Sequence, residues 1–252
     1  MTFDVAAETY DRFMGRYSAL LSSQMADLAG VRPGDQVLDV GCGPGALTAE
    51  LASRLGPAAV TAVDPSASFV AAAQTRNPGV KVLQAAAERL PFADATFDGA
   101  LAQLVVHFMA DPVAGLAEMA RVTRPNGVVA ASVWDYAGRQ SPLEPFWRGA
   151  RELQPDVDDE STFAGAREGH LAALFEAAGL RQIEGTAFSL SLTHPSFDAW
   201  WEPFSGGVGP AGAFLAGLDV DRQVELREIC RAQMPPAPFT LTARAWAVRG
   251  LG

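Results

Sequence analysis

The sequence of 252 residues has few cysteines, a deficit of basic residues and no long apolar run. Its two cysteines, Cys42 and Cys230, exclude a disulfide framework and a cysteine-based metal site, and they indicate a reducing compartment such as the cytoplasm. No segment approaches the roughly 18 consecutive apolar residues that a membrane span requires. Residues 1–10 lack the basic start and apolar core of a secretion signal.

The charge balance argues against a nucleic-acid or membrane partner. The chain has 19 Lys and Arg residues against 29 Asp and Glu residues, which gives a net charge of -10. A protein with this charge repels nucleic-acid phosphates and anionic lipid headgroups. We therefore expect a small-molecule partner, and the composition leaves the oligomeric state open.

Apolar, β-prone runs alternate with helical stretches through the first half of the chain. These runs occupy residues 36–40, 60–64, 80–84, 97–103 and 128–133. The stretches between them have the length of crossover helices, with caps at Ser66 and Asp111, and turns such as Asn77-Pro78-Gly79 close them. This order predicts an α/β fold with a parallel, doubly wound sheet.

The second half has a different pattern. Residues 168–178 and 219–233 are predicted helices, and residues 182–192 and 239–248 are predicted strands that extend the sheet at one edge. The glycine-rich residues 204–212 predict a mobile connection. We expect a single domain over residues 1–252, with an N-terminal helical lid (1–30), a cofactor-binding core (31–135) and an acceptor-side cap with the last strands (136–252).

A glycine turn follows the first predicted strand. Gly41, Gly43 and Ala46, with Asp64 further on, satisfy the loose pattern of dinucleotide-binding turns, so a nicotinamide-linked oxidoreductase is one interpretation. Asp39, at the end of the strand, adds negative charge where a pyrophosphate would lie. The same carboxylate suits a ligand with a cationic ammonium and sulfonium, which indicates S-adenosylmethionine.

With these motifs the chain resembles the class I S-adenosylmethionine-dependent methyltransferases, especially the type 11, ubiquinone-biosynthesis-like group. The matching segments are YDRFMGRYS at residues 10–18, VLDVGCGPGA at 37–46, VDPS at 63–66, AERLPF at 87–92, FD at 97–98 and EMARVTRPNG at 118–127. The resemblance implies a Rossmann-like methyltransferase fold with a mostly parallel, seven-stranded sheet, N-terminal helices and a C-terminal cap insertion. It also implies that the cofactor is S-adenosylmethionine and the product S-adenosylhomocysteine.

The resemblance further assigns cofactor-binding roles. Asp64 is expected to hold the ribose hydroxyls, while Asp39, Gly41, Gly43 and Gly45 face the methionine end. From their places in the matching segments, Tyr10 is expected to cover the cofactor and Arg16 to pair with its carboxylate. The remaining candidates for cofactor binding are Pro65, Ala87, Glu88 and Gln103.

The chain departs from the family pattern at Ala86. Family members commonly have an aspartate there, which accepts a hydrogen bond from the amino group of adenine. In this chain a neighbour such as Glu88 or Gln84 replaces that acceptor, or adenine is bound more weakly. Glu88 has an alternative structural role, in which it braces the turn before Leu90.

Methyl transfer leaves little trace of a catalytic residue, because the donor is already activated and a base is needed only when the nucleophile keeps a proton. His107 follows the fourth strand and is the candidate catalytic base, with a core histidine as the alternative. The acceptor is expected beyond the carboxyl ends of the strands. Its candidate lining residues are Tyr17, His107, Trp134, Trp200 and Trp201, and no metal is expected.

The function that these patterns favour is methyl transfer to a small apolar or aromatic metabolite. Two alternatives stay open: a cofactor-binding protein without transferase activity, which Ala86 alone supports, and the nicotinamide-linked oxidoreductase.

Overall fold

The computed structural model describes residues 7–252, and in this part of the chain seven strands form one sheet. The strands are β1 (Val37–Val40), β2 (Val60–Asp64), β3 (Lys81–Gln84), β4 (Phe97–Gln103), β5 (Thr123–Trp134), β6 (Arg181–His194) and β7 (Phe239–Leu251). The α-helices are α1 (Ala7–Tyr10), α2 (Arg16–Ala29), α3 (Ala46–Leu55), α4 (Ala67–Arg76), α5 (Pro112–Val122), α6 (Glu144–Leu153), α7 (His170–Ala177), α8 (Phe197–Trp201), α9 (Gly209–Gly217) and α10 (Val220–Gln233).

The sheet has the order β3-β2-β1-β4-β5-β7-β6. Strands β1 to β5 are parallel, while β7 runs antiparallel to both β5 and β6. The chain moves outward from β1 to β3 and then returns to place β4 on the other side of β1, so a topological switch point lies between β1 and β4. This arrangement confirms the predicted seven-stranded, mostly parallel α/β fold.

Local sequence signals explain where the core elements begin and end. All four residues of β1 are buried, as expected for a central strand with helices on both faces. Asp111 caps α5 by accepting a hydrogen bond from the Ala114 N–H at 3.0 Å, and Pro112 occupies the first helical position. The Ser66 hydroxyl caps α4 in the same way.

Helix α2 packs against the half of the sheet formed by β4, β5, β6 and β7. The Tyr17 hydroxyl of α2 is hydrogen-bonded to the His194 ring at 3.2 Å, and His194 stacks on Phe239. Tyr17 also makes an edge contact with Trp134 at the end of β5. These contacts fix α2 against the last strands of the sheet, and the buried core continues on both sides of it.

The prediction of a mobile connection at residues 204–212 is wrong. Phe204 lies in a 3₁₀-helix, is 3% exposed and stacks on Phe146 with ring centres 4.6 Å apart. Gly212 is already inside α9, where its backbone lies directly against Gly207. These glycines therefore permit close packing of the chain, although from composition alone they indicated a flexible segment. Among residues 7–252, no helix combines the length and apolar character that a membrane crossing requires.

Candidate functional site

A cavity of about 980 Å³ lies at the carboxyl ends of β1, β2 and β4, beside the switch point. Its floor is the glycine turn after β1 together with the first turn of α3, and the segment from Tyr10 to Ala19 forms one wall. The loop after β3 and the segment that follows β4 close the other sides. Every residue predicted to bind the cofactor lines this cavity: Tyr10, Arg16, Asp39, Gly41, Gly43, Gly45, Asp64, Pro65, Ala87, Glu88 and Gln103.

The glycine turn needs glycine at defined positions. Gly41 has a φ of 69°, and a Cβ there would collide with the Val105 side chain. Gly45 has a φ of 98°, and its Cβ would collide with the Asn77 amide. Because both positions require left-handed backbone and close approach, the turn holds its shape before any ligand binds.

Asp39 is a buried carboxyl at the bottom of the cavity. Its side chain is 1% exposed and accepts a hydrogen bond from the Thr48 hydroxyl at 2.6 Å. Burial, and to a smaller extent the nearby Asp64 charge, raises the pKa of Asp39 to about 7. A cationic group in the cavity would favour the ionised carboxylate.

Asp64 joins the end of β2 to the glycine turn. One of its oxygens accepts from the Gly43 N–H at 2.9 Å, and the other accepts from the Ser66 N–H at 2.8 Å. Burial raises the pKa of Asp64, while these two hydrogen bonds lower it. The bonds fix the carboxylate at the cavity surface, where each oxygen keeps a lone pair for a ligand hydroxyl.

Two polar atoms in the cavity wall have no hydrogen-bond partner within residues 7–252. They are the Arg16 Nε and the Gln103 Oε1, and both are buried. The Gln103 amide nitrogen donates to the Ser18 carbonyl at 2.9 Å, so its oxygen is the free end. Burial lowers the pKa of Arg16. A partly buried guanidinium whose Nε has no partner in the described residues, together with the free Gln103 oxygen, fits a ligand that carries both a carboxylate and an amino group.

Side chains at the start of the N-terminal wall contact helix α4. Asp11 forms an ion pair with Arg76 at the end of α4, with 2.5 Å between Oδ2 and the guanidinium. Tyr10 makes an edge contact with Phe69 of the same helix. Burial raises the pKa of Tyr10 to about 12, so the phenol stays neutral. Sequence reasoning missed this ion pair, since nothing in the local patterns places residue 11 beside residue 76.

The loop after β3 lacks a side-chain acceptor at Ala86, which is exposed at the edge of the cavity. Gln84 does not line the cavity and donates instead to the Pro65 carbonyl at 2.9 Å. Glu88 lines it, but its Oε1 accepts from the Ala110 N–H at 2.7 Å and the Asp111 N–H at 3.3 Å. Glu118 accepts from the Leu90 N–H, so the turn before Leu90 is braced by that residue rather than by Glu88.

The residues predicted to bind the acceptor do not line this cavity, and their roles stay predictions. Tyr17 and Trp134 are buried where α2 meets β5. Trp200 and Trp201 are buried in an aromatic cluster with Phe197.

His107 is buried in a 3₁₀-helix between β4 and α5, against the rings of Phe108, Tyr136 and Phe163. Neither ring nitrogen has a hydrogen-bond partner in the described residues, and burial lowers the pKa of His107 to about 3. The ring is neutral at physiological pH, and this geometry matches the alternative of a core histidine more closely than that of a base.

The segment after β4 supplies an apolar wall that sequence reasoning missed. Leu104, Val105, Phe108 and Met109 line the cavity. Leu104 has a φ of 60°, which is unfavourable for a residue with a branched side chain. The sequence does show an apolar run between Gln103 and Ala110. Which way the side chains of this run face depends on the left-handed turn at Leu104.

Comparison with known proteins identifies the family. The model of a methyltransferase domain matches residues 38–131. An uncharacterized methyltransferase of Mycobacterium marinum is 32% identical over 204 residues, which cover 75% of this chain and 79% of that protein. The chain belongs to the class I S-adenosylmethionine-dependent methyltransferases.

Other proteins match this chain over different lengths. A demethylmenaquinone methyltransferase of Beutenbergia cavernae is 37% identical over 127 residues, so the match covers 50% of this chain and about half, 49%, of that relative. The crystal structure of the YcgJ protein from Bacillus subtilis has the same fold, with a TM-score of 0.59 and 20% identity over 94% of this chain and 98% of that one. The region that matches the methyltransferase domain model contains the glycine turn and both Asp39 and Asp64.

Proposed function

We propose that this protein binds S-adenosylmethionine in the cavity and transfers its methyl group to a small apolar or aromatic metabolite. The observation that carries the proposal is the charge of the lining. Four carboxylates line the cavity, from Asp11, Asp39, Asp64 and Glu88, against the guanidiniums of Arg16 and Arg76. The net negative lining suits a ligand with two cationic groups and one carboxylate.

The positions of these charged and polar residues assign each group of the ligand to a part of the cavity. The Arg16 Nε has no hydrogen-bond partner in the described residues, so Arg16 would bind the ligand carboxylate, while the free oxygen of Gln103 would accept from the ammonium. Asp64 would hold the ribose hydroxyls, and the buried Asp39 would face the cationic methionine end. When bound, the cofactor supplies an activated methyl group, and the protein has only to align the acceptor with it.

A nicotinamide-linked oxidoreductase fits these residues poorly. Asp64 could hold the ribose of either cofactor, so Asp39 is the residue that discriminates. The pyrophosphate of a nicotinamide cofactor would lie on the glycine turn, next to Asp39, and a buried carboxylate beside a double negative charge is unfavourable, because the low dielectric of the site strengthens the repulsion. S-Adenosylmethionine has no phosphate and avoids it.

The apolar wall after β4 supports an apolar or aromatic acceptor. Leu104, Val105, Phe108 and Met109 offer no charged group, and this wall adjoins Gln103, near the methionine end. Naphthohydroquinones are the first acceptors to test, because the Beutenbergia relative is named a demethylmenaquinone methyltransferase. The predicted cytoplasmic location is compatible with such an activity and belongs to this proposal.

Isothermal titration calorimetry and a transfer assay test the proposal together. We expect S-adenosylhomocysteine to bind and NAD to give no heat, and we expect radiolabel from methyl-labelled S-adenosylmethionine to appear in an extracted naphthohydroquinone product. Binding of NAD in place of S-adenosylhomocysteine would refute the cofactor assignment. Cofactor binding without transfer to any member of a broad acceptor panel would favour the cofactor-binding protein without activity.

A further inference from the structure

The order of the strands indicates which end of the cavity would hold the adenine base of the ligand. If Asp64, at the end of β2, holds the ribose and the turn after β1 holds the methionine end, the base lies on the remaining side, toward β3. The loop that leaves β3 begins beside Asp64, because the Ala85 N–H donates to the Asp64 carbonyl at 3.1 Å. The cavity residues on this side are Ala86, Ala87 and Glu88, with Met109 opposite them.

This end of the cavity has few side-chain acceptors, and most of them are engaged in other hydrogen bonds. Ala86 has only a methyl group, and its carbonyl accepts from the Arg89 N–H at 3.2 Å. The Glu88 Oε1 accepts from two backbone N–H groups of the segment before α5. Gln84 points its amide nitrogen at the Pro65 carbonyl and lies outside the cavity lining. Residue 86 therefore supplies no side-chain acceptor for a donor on the base, and the Glu88 carboxylate is held toward the segment before α5, with its Oε2 as the remaining acceptor.

The edge is also open to water. Ala86 is exposed, so the outer edge of a bound purine would meet solvent there. A site built to hydrogen-bond a ligand group rejects an analogue that lacks the group by several orders of magnitude, because the buried partner is then left unpaired. Where water is the partner, loss of the group leaves nothing unpaired in the protein.

We propose that this protein does not select the exocyclic amino group of adenine, and that residue 86 determines this lack of selection. The inference rests on the proposed function and extends it to a class of ligands: sulfonium nucleosides whose purine lacks or replaces the 6-amino group. Placing a carboxylate at residue 86 supplies a charged acceptor for that amino group. An aspartate at residue 86 would therefore make the site select ligands that carry the 6-amino group.

The test is calorimetry with S-adenosylhomocysteine and with its 6-deamino analogue, which has hydrogen in place of the amino group. For the wild-type protein we expect dissociation constants within about threefold of each other. For Ala86→Asp we expect S-adenosylhomocysteine to bind at least about tenfold more tightly than the analogue, since hydrogen bonds to charged groups have effects of that order. Ala93→Asp is the matched control, because it adds the same charge at an exposed alanine outside the cavity.

The outcomes separate the two proposals. A wild-type preference of tenfold or more for S-adenosylhomocysteine would overturn the inference, and its loss in Glu88→Gln would identify the second oxygen of Glu88 as the acceptor. A ratio that Ala86→Asp leaves unchanged would overturn the role of residue 86. The absence of heat with both ligands would refute the proposed function itself. The wild-type ratio requires no variant, so the inference stays falsifiable even if Ala86→Asp does not fold.

Discussion

We predict that the buried carboxyl of Asp39 makes the affinity for S-adenosylmethionine depend on pH. Its pKa in the ligand-free protein is about 7, raised mainly by burial. If binding of the cationic cofactor requires the ionised carboxylate, affinity follows the ionised fraction. That fraction is about 0.9 at pH 8 and about 0.1 at pH 6, so the dissociation constant of S-adenosylmethionine should rise about tenfold between these values. Lowering the pH should therefore weaken the binding of S-adenosylmethionine.

The buried histidines His107 and His194 do not titrate in this range. The pKa of His107 is lowered to about 3 and that of His194 to about 4, in each case mainly by burial, so neither changes charge between pH 6 and 8. Burial raises the pKa of Glu160 to about 7, but this residue is outside the cavity and is hydrogen-bonded to the Trp147 indole at 2.8 Å.

The assay is calorimetry at half-unit steps from pH 6 to 8, for wild type and for Asp39→Asn. The variant should bind S-adenosylmethionine about thirtyfold more weakly at pH 8, as expected for a lost charged contact of about 2 kcal/mol, and its affinity should be flat with pH. Asp27→Asn removes the same charge from a side chain that is 67% exposed and should behave as wild type. A wild-type affinity that is flat, or that strengthens toward pH 6, would refute the reasoning.

Four further predictions follow from the site. Asp39→Asn should raise the melting temperature of the ligand-free protein at pH 8 and less so at pH 5, because a folded-state pKa above the unfolded value makes the ionised carboxyl destabilising as pH rises; equal shifts at both pH values would contradict this. Arg16→Ala should weaken S-adenosylhomocysteine binding by about tenfold in calorimetry, as for a lost charged hydrogen bond, and unchanged affinity would disprove its pairing with the carboxylate. Gly41→Ala should lower the urea midpoint more than Gly43→Ala, because both have positive φ but only Gly41 lacks space for a Cβ; equal losses would argue that strain alone decides. His107→Phe should leave the affinity for S-adenosylhomocysteine within about twofold, because the ring lies outside the cavity lining, and a tenfold loss would place His107 in the cofactor site.

The parallel half of the fold was predictable because its signals are local. Buried strands appear as short apolar runs, and the helices between them have caps and glycine or proline turns within a few residues. The position of the cavity was predictable for a related reason, since a glycine turn and two acidic residues must lie at the ends of neighbouring parallel strands. Asp39 and Asp64 therefore converge on one cavity without any long-range information.

The rest depends on contacts that no local pattern encodes. Composition could not tell whether the aromatic residues of the last third face a ligand or one another, and Trp200 and Trp201 are buried among other rings. Phe204 was misread for the opposite reason, because its glycine neighbours obscured a buried ring that stacks on Phe146. The direction of His107 depends on the left-handed turn at Leu104, which its sequence gives no reason to expect.

The hydrogen bond between Tyr17 and His194 spans 177 positions along the chain. It joins α2, which contributes Arg16 to the cavity wall, to β6 at one edge of the sheet. Both residues lie outside the region that matches the methyltransferase domain model. A fragment trimmed to that region would keep the glycine turn and both acidic residues yet lose Tyr10, Arg16 and the rest of α2. The segment that carries the family signature therefore forms only part of the cavity wall, and the remainder comes from a helix that is held in place by the distant strand β6.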